Sequence, residues 1–252
     1  MGDTKIIAVC GKGGVGKTSI SALIVKVLLK QQNKKILAID ADPAVGFSTA
    51  LGVDVGKTIN DIRNEIVKAT QEGSRETKLD ILSRVQYQVF EAMEEKNGFA
   101  FLAIGRPEGD GCYCKVNNYL KQTIESLSAD FDYVVIDGEA GIEQINRRVM
   151  DKVTHLLLVS DTSMKGINVI KTISKVAHQF VEYDRMGLII NRLQSEGELD
   201  QVEIGKLELL SFIPEDMEIH NSDIKGRSLL QISEGLPFVR LQEGLRKFDF
   251  IN

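Results

Sequence analysis

Two stretches of this 252-residue chain combine residue types and spacings that suit chemistry. The first is GKGGVGKTS, Gly11–Ser19, which satisfies the pattern G-x-x-x-x-G-K-[ST] between an apolar run and a helical one. Gly11, Gly13, Gly14 and Gly16, interleaved with Lys12 and Val15, let consecutive backbone N–H groups close around phosphate oxygens. The helix that starts there adds the positive end of its dipole. In such a loop Lys17 reaches the β- and γ-phosphates of a nucleotide, and the Thr18 hydroxyl, beside Ser19, ligates magnesium. The second stretch is GDGCYCK, residues 109–115, which sets Cys112 and Cys114 one residue apart in a chain with three cysteines. Thiolates are soft donors, but two of them cannot complete the four-coordinate shell that zinc and similar ions prefer. Gly109 and Gly111 permit a close backbone approach at that place.

Positioning these groups requires a scaffold, and the chain offers one. Apolar, β-branched runs recur at 5–10, 35–40, 99–105, 133–138, 155–160, 187–191 and 207–213. Continuous runs of this kind suit strands covered by helices on both faces. Stretches 17–32 and 164–180 carry apolar residues at helical spacing. The expected fold is a doubly wound α/β domain with a mainly parallel sheet, one domain over residues 1–252. Residues 57–97 are more charged, show no clear strand, and are expected to form a helical insertion before the third strand. A formal net charge of −5 argues against a nucleic-acid partner, whose phosphates are neutralised by Lys and Arg. The N-terminus lacks the basic and long apolar regions of a signal peptide, no apolar run is long enough to cross a bilayer, and the odd cysteine count suits a reducing, cytoplasmic setting. Cys10 ends an apolar strand and is expected to be buried; His155, His178 and His220 lack metal-ligand spacing and are expected to be structural.

Lys12 is superfluous to the phosphate cradle and costly to bury unpaired. With it, KGGVGKT resembles the deviant Walker A motif of the MinD/ParA class of P-loop ATPases, a class that includes the nitrogenase iron protein and the arsenite-pump ATPase. The resemblance implies an ATP-dependent sandwich homodimer in which Lys12 crosses to the partner's nucleotide. IDADP, ending in Asp40, Asp42 and Pro43, resembles the class's switch I; both carboxylates are expected to face the γ-phosphate, with Asp42 orienting or deprotonating the attacking water. VVIDGEAGIE places Asp137 as a Walker B carboxylate holding magnesium through its water shell, followed by switch II at Gly138–Gly141. Glu139 stands where many MinD relatives have proline. For the base, LIINRL offers Asn191, whose amide can donate to and accept from adenine, and Arg192, while FIPED with Pro214 resembles the loop beside the base. The same residues also suit ordinary turn chemistry.

KGGVGKT, DADP, GCYC, AGIE and IPED together resemble the CooC-type branch of the class, the nickel-insertion ATPases that mature carbon monoxide dehydrogenase. That resemblance covers nearly the whole chain. It implies an ATP-hydrolysing metallochaperone that binds nickel or zinc at Cys112 and Cys114, four sulfurs from two protomers meeting at a two-fold axis. Its client would be carbon monoxide dehydrogenase or a relative. Soft thiolates do not select nickel by themselves. The alternative is a positioning ATPase of the MinD/ParA kind, acting on membrane or DNA. The tail at 239–252 has three basic and two acidic residues among its apolar ones and suits a packed terminal helix better than a membrane anchor, so membrane binding is disfavoured. An electron-transfer ATPase is disfavoured because no cysteine follows Asp137 in DGEAGIEQINRR.

Overall fold

The computed structural model describes residues 4–42, 44, 46–71, 78–106, 114–138, 145 and 149–252. The strands are β1 (Lys5–Gly11), β2 (Ile36–Asp40), β3 (Glu94–Lys96), β4 (Phe99–Ala103), β5 (Tyr133–Asp137), β6 (Lys152–Ser160), β7 (Glu182–Leu193) and β8 (Leu209–Pro214). Among the described residues they form one sheet in the order β3-β4-β2-β5-β1-β6-β7-β8, parallel throughout except for the β3–β4 pair. The helices are α1 (Lys17–Leu28), α2 (Gly46–Leu51), α3 (Ile59–Gln71), α4 (Lys78–Glu91), α5 (Cys114–Ser128), α6 (Met164–Phe180), α7 (Met217–Ile224) and α8 (Leu236–Lys247).

The apolar runs are continuous because both sides of each strand are buried. Ala8, Cys10, Leu37, Ile39, Val134, Ile136, Leu156 and Leu158 pack on one face beneath α3–α6. Their neighbours Ile7, Val9, Ile36, Ala38, Val135, Leu157 and Val159 pack on the other beneath α1, α2 and α8. With a side-chain period of two, each run feeds two cores. The fold is therefore the doubly wound arrangement expected, and Cys10 is fully buried in it. Strand order reverses about β1: the chain steps to β2 on one side and later to β6 on the other, which opens a crevice beyond the carboxyl end of β1.

One expectation is corrected. The segment 57–97 contains helices α3 and α4, but it ends in a strand, β3, that pairs antiparallel with β4 at the sheet edge. Its signal is the turn, not the strand: Asn97 (φ 48°) and Gly98 (φ 91°) both take the left-handed region required by a two-residue hairpin. Glu94, Glu95 and Lys96 are too short and too charged to read as a buried strand, which is how an edge is kept from pairing further.

At the opposite end of the sheet the tail closes the core. Leu241, Leu245, Phe248 and Phe250 are fully buried, so α8 is the packed terminal helix expected. His155 pins it: Nε2 donates to the Phe248 carbonyl at 3.0 Å, Nδ1 lies 2.7 Å from Thr154 Oγ1, and the ring stands edge-on to Phe248 and Phe250. Burial pushes His155 down to about 4, so the native ring is neutral while the unfolded one takes a proton near its ordinary value. A base depressed in the folded state contributes stability that is full above about pH 6.5 and is lost as pH falls towards 4, at about 1.4 kcal/mol per pH unit within that window. His155→Gln, which keeps a donor for Phe248 and cannot be protonated, is expected to flatten the fall of Tm between pH 6.5 and 5; an unchanged slope in the melting series would contradict this account.

Candidate functional site

The phosphate loop leaves β1 at Gly11 (φ 155°), where a side chain could not fit: a Cβ would stand 2.1 Å from the Val159 carbonyl oxygen of β6. It ends at Gly16 (φ 89°), the residue before α1, whose Cβ would meet Asn191 Nδ2 at 2.4 Å. Both positions therefore demand glycine, the second also for its left-handed backbone. Lys17 is buried and folds back, its Nζ donating to the Lys12 carbonyl at 3.4 Å. Lys12 itself is half-buried, and its ammonium makes no ion pair among the described residues.

Beneath the loop lies Asp137, at the end of β5 and 1% exposed. Thr18 Oγ1 donates to its Oδ2 at 2.7 Å and Ser21 Oγ to its Oδ1 at 3.0 Å. Burial pushes Asp137 up to about 6, against the pull of these two hydroxyls and of Lys17. Asp40 is its register partner on β2 and is fully buried. Burial and then the charge of Asp137 push Asp40 up to about 7. Hydroxyl and carboxylate oxygens are the hard donors that magnesium takes, and a carboxylate this deep and this poorly compensated suits a cation nearby. Thr18 and Asp137 thus fit the magnesium role expected of them.

Asp42 and Asp40 part company. Asp42 lines a cleft of about 430 Å³ together with Gly13, Gly14, Gly16, Lys17, Thr18 and Ser19, where a triphosphate chain has room. Asp40 does not face that cleft; its oxygens turn to backbone N–H groups instead. The reason is position: Asp40 is the last residue of a strand buried on both faces, and Asp42 lies beyond it.

A narrow space of about 40 Å³ adjoins the cleft, lined by Asn191, Arg192, Pro214, Asp216, Ile219 and His220 among others. It brings together the residues expected near a base, but Asn191 has a task the sequence did not reveal. Its Nδ2 donates to the Val15 carbonyl at 2.8 Å, and Arg192, in the left-handed region at φ 59°, donates from NH1 to the Gly14 carbonyl at 2.9 Å. The end of β7 therefore holds the phosphate loop from the side. Ser21 was also missed, although it lies three residues after Thr18 on the same face of α1. Cys112 and switch II residues 139–141, including Glu139, lie outside the described residues; α5 begins at Cys114. Described residues on either side of 107–113 are tied to α3: Asn60 Nδ2 donates to the Arg106 carbonyl, and Arg63 Nε donates to Oδ1 of Asn117 in α5 at 2.9 Å.

A glycine-rich loop after the central strand, a lysine in it, and a hydroxyl-gripped buried aspartate on the neighbouring strand define a P-loop nucleotide-binding protein. The chain belongs to the CobQ/CobB/MinD/ParA nucleotide-binding domain family, whose model matches residues 6–229. It is 39% identical over 234 residues to an uncharacterized ATP-binding protein of Methanocaldococcus jannaschii, covering 91% of this chain and 92% of that one. It is 26% identical over 250 residues to the carbon monoxide dehydrogenase accessory protein CooC of Rhodospirillum rubrum, covering 90% of each. Its fold matches that of the septum site-determining protein MinD from Pyrococcus horikoshii, solved with Mg-ADP, at a TM-score of 0.67 and 23% identity over 98% of this chain and 97% of that one.

Proposed function

We propose that this protein is an ATPase that dimerises around ATP and couples its hydrolysis to delivery of a thiophilic metal ion, nickel foremost, to a client metalloenzyme. The observation that carries the ATPase half is the Thr18–Asp137–Ser21 cluster under the loop that bears Lys17. Thr18, and Asp137 through water, would hold magnesium, which would supply positive charge beside the phosphates as negative charge develops there. Lys17 leaves its carbonyl partner for the phosphates, and the loop N–H groups orient them. Asp42, which lines the same cleft, accepts a hydrogen bond from the attacking water and lines it up with the γ-phosphorus; ADP and phosphate leave. Lys12, which makes no ion pair among the described residues, reaches the partner's nucleotide.

The delivery half rests on the Cys112–Cys114 pair and on likeness to a CooC protein over the length of the chain. Two thiolates per chain make a four-sulfur site only across a two-fold axis, so affinity for the cargo follows the nucleotide state. On α8, Phe238, Leu241 and Leu245 are spent on the core and Leu236 and Val239 are exposed, a smaller apolar face than a bilayer-binding helix presents. The test is a nickel and zinc titration of the pure protein with and without a non-hydrolysable ATP analogue, reading metal per chain and mass by analytical ultracentrifugation. The expected result is a dimer with about one metal per two chains in the presence of the analogue, and a Lys12→Gln variant that binds nucleotide but stays monomeric. Metal binding indifferent to the analogue would sink the coupling.

A further inference from the structure

We infer that Asp40 is a positioning residue, a latch that closes the segment bearing Asp42 at both ends and so fixes where the water-orienting carboxylate stands. The inference rests on the ATPase reading. Asp40 Oδ1 accepts from the Asp42 N–H at 3.0 Å, and Oδ2 accepts from the Phe47 N–H at 2.9 Å. One fully buried side chain therefore ties residue 42 to the first turn of α2.

Both anchor points are themselves rigid. The Ala41 N–H donates to the Asp137 carbonyl at 3.0 Å and the Ile104 N–H to the Asp40 carbonyl at 2.8 Å, so the backbone at 40–41 is stitched to β5 on one side and to the end of β4 on the other. Phe47 is fully buried, its ring edge-on to Phe101 of β4 at 6.0 Å. Asp42 and Gly46, which lie between these points in sequence, both line the cleft. Asp42 Oδ1 also accepts from the Ala44 N–H at 2.8 Å, a local turn that shapes the segment without attaching it to the sheet. Attachment is the part that Asp40 supplies. An ionised carboxylate can do this because it has only acceptors, so the comparison is made at about pH 8.5, above the value of about 7 to which Asp40 is pushed; an amide of the same shape presents a donor to one of two N–H groups.

The variant is therefore Asp40→Asn, isosteric and uncharged, with hydrogen exchange and steady-state ATP hydrolysis as paired readouts. In the wild type the Phe47 and Asp42 amides are expected to exchange slowly, with those of β2. In Asp40→Asn one of them should exchange about tenfold faster or more, because a hydrogen bond to a charged group is lost. The kcat for ATP should fall by about tenfold to a hundredfold, since a displaced water-orienting group costs on that order. The affinity for ADP, which needs no attacking water, should stay within about twofold of wild type. Fast exchange of Phe47 in the wild type overturns the latch without any variant. Faster exchange with unchanged kcat, or an ADP affinity that falls as far as kcat, overturns the positioning role. A wild type that binds ATP and never hydrolyses it overturns the ATPase reading, while the exchange data still decide whether the latch exists.

Discussion

Lys17→Ala loses ATP turnover by about a hundredfold to a thousandfold, the loss expected when a preorganised charge is removed from a site of developing negative charge. The phosphate loop survives the substitution, because the ammonium contributes only one long bond to its shape, 3.4 Å to the Lys12 carbonyl. Gly16 sets the left-handed entry to α1, and the struts from Asn191 to Val15 and from Arg192 to Gly14 hold the loop from β7. What goes is a buried cation that lines the cleft and folds along the loop. ATP affinity should therefore fall together with turnover, while Tm changes little. Asp42→Ala gives the contrasting outcome: it leaves the cradle and the Thr18–Asp137 pair in place, so ATP stays bound and accumulates in an unhydrolysed dimer. Calorimetric titration with ATP and a phosphate-release assay separate the two. If Lys17→Ala binds ATP as the wild type does, Lys17 is not in the cradle.

The difference between what could be read in the sequence and what could not follows from how far each signal reaches along the chain. The phosphate loop is a contiguous motif whose glycines are required by backbone geometry within nine residues, so Gly11–Ser19 was legible outright. The strands were legible because burial on both faces leaves unbroken apolar runs such as Ile36–Asp40. Asp137, which ends β5, and Asp42, just past β2, stand out as acidic residues beside strand ends, and Asp40, two residues before Asp42, reads as its equal. Nothing in IDADP says which aspartate is the last buried residue of β2 and which lies past it. Asn191 shows the limit most plainly. The hydrogen bond from its side-chain amide to the Val15 carbonyl joins residues 176 positions apart, and no local pattern specifies a partner at that distance. The β3 edge strand failed for the opposite reason: its signal was local, in Asn97-Gly98, but was outweighed by the charge of Glu94, Glu95 and Lys96.

Replacing Cys112 or Cys114 by serine is expected to remove most bound nickel or zinc, with nucleotide binding kept. Serine preserves size but offers a hard, protonated oxygen in place of a thiolate, and a four-sulfur site that loses two sulfurs, one from each protomer, keeps half its ligands. Nucleotide binding survives because every phosphate-site group described above comes from β1, the loop after it, α1, the residues after β2, β5 or β7, whereas Cys112 lies between β4 and α5 in sequence and Cys114 begins α5. Cys10→Ser is the internal control. That thiol is fully buried in the sheet core, so serine there costs stability without touching a metal site. Elemental analysis at matched free metal distinguishes the three variants, and the wild type should bind more weakly as pH falls, because protons compete for the thiolates. The nucleotide dependence carries the most information. With an ATP analogue the wild type should hold about one metal per two chains and the serine variants should dimerise without it, whereas Lys12→Gln should lose both dimer and metal. Wild-type metal content in Cys112→Ser and Cys114→Ser would remove the physical support for metal delivery and leave a nucleotide-switched ATPase whose partner must be sought on another surface.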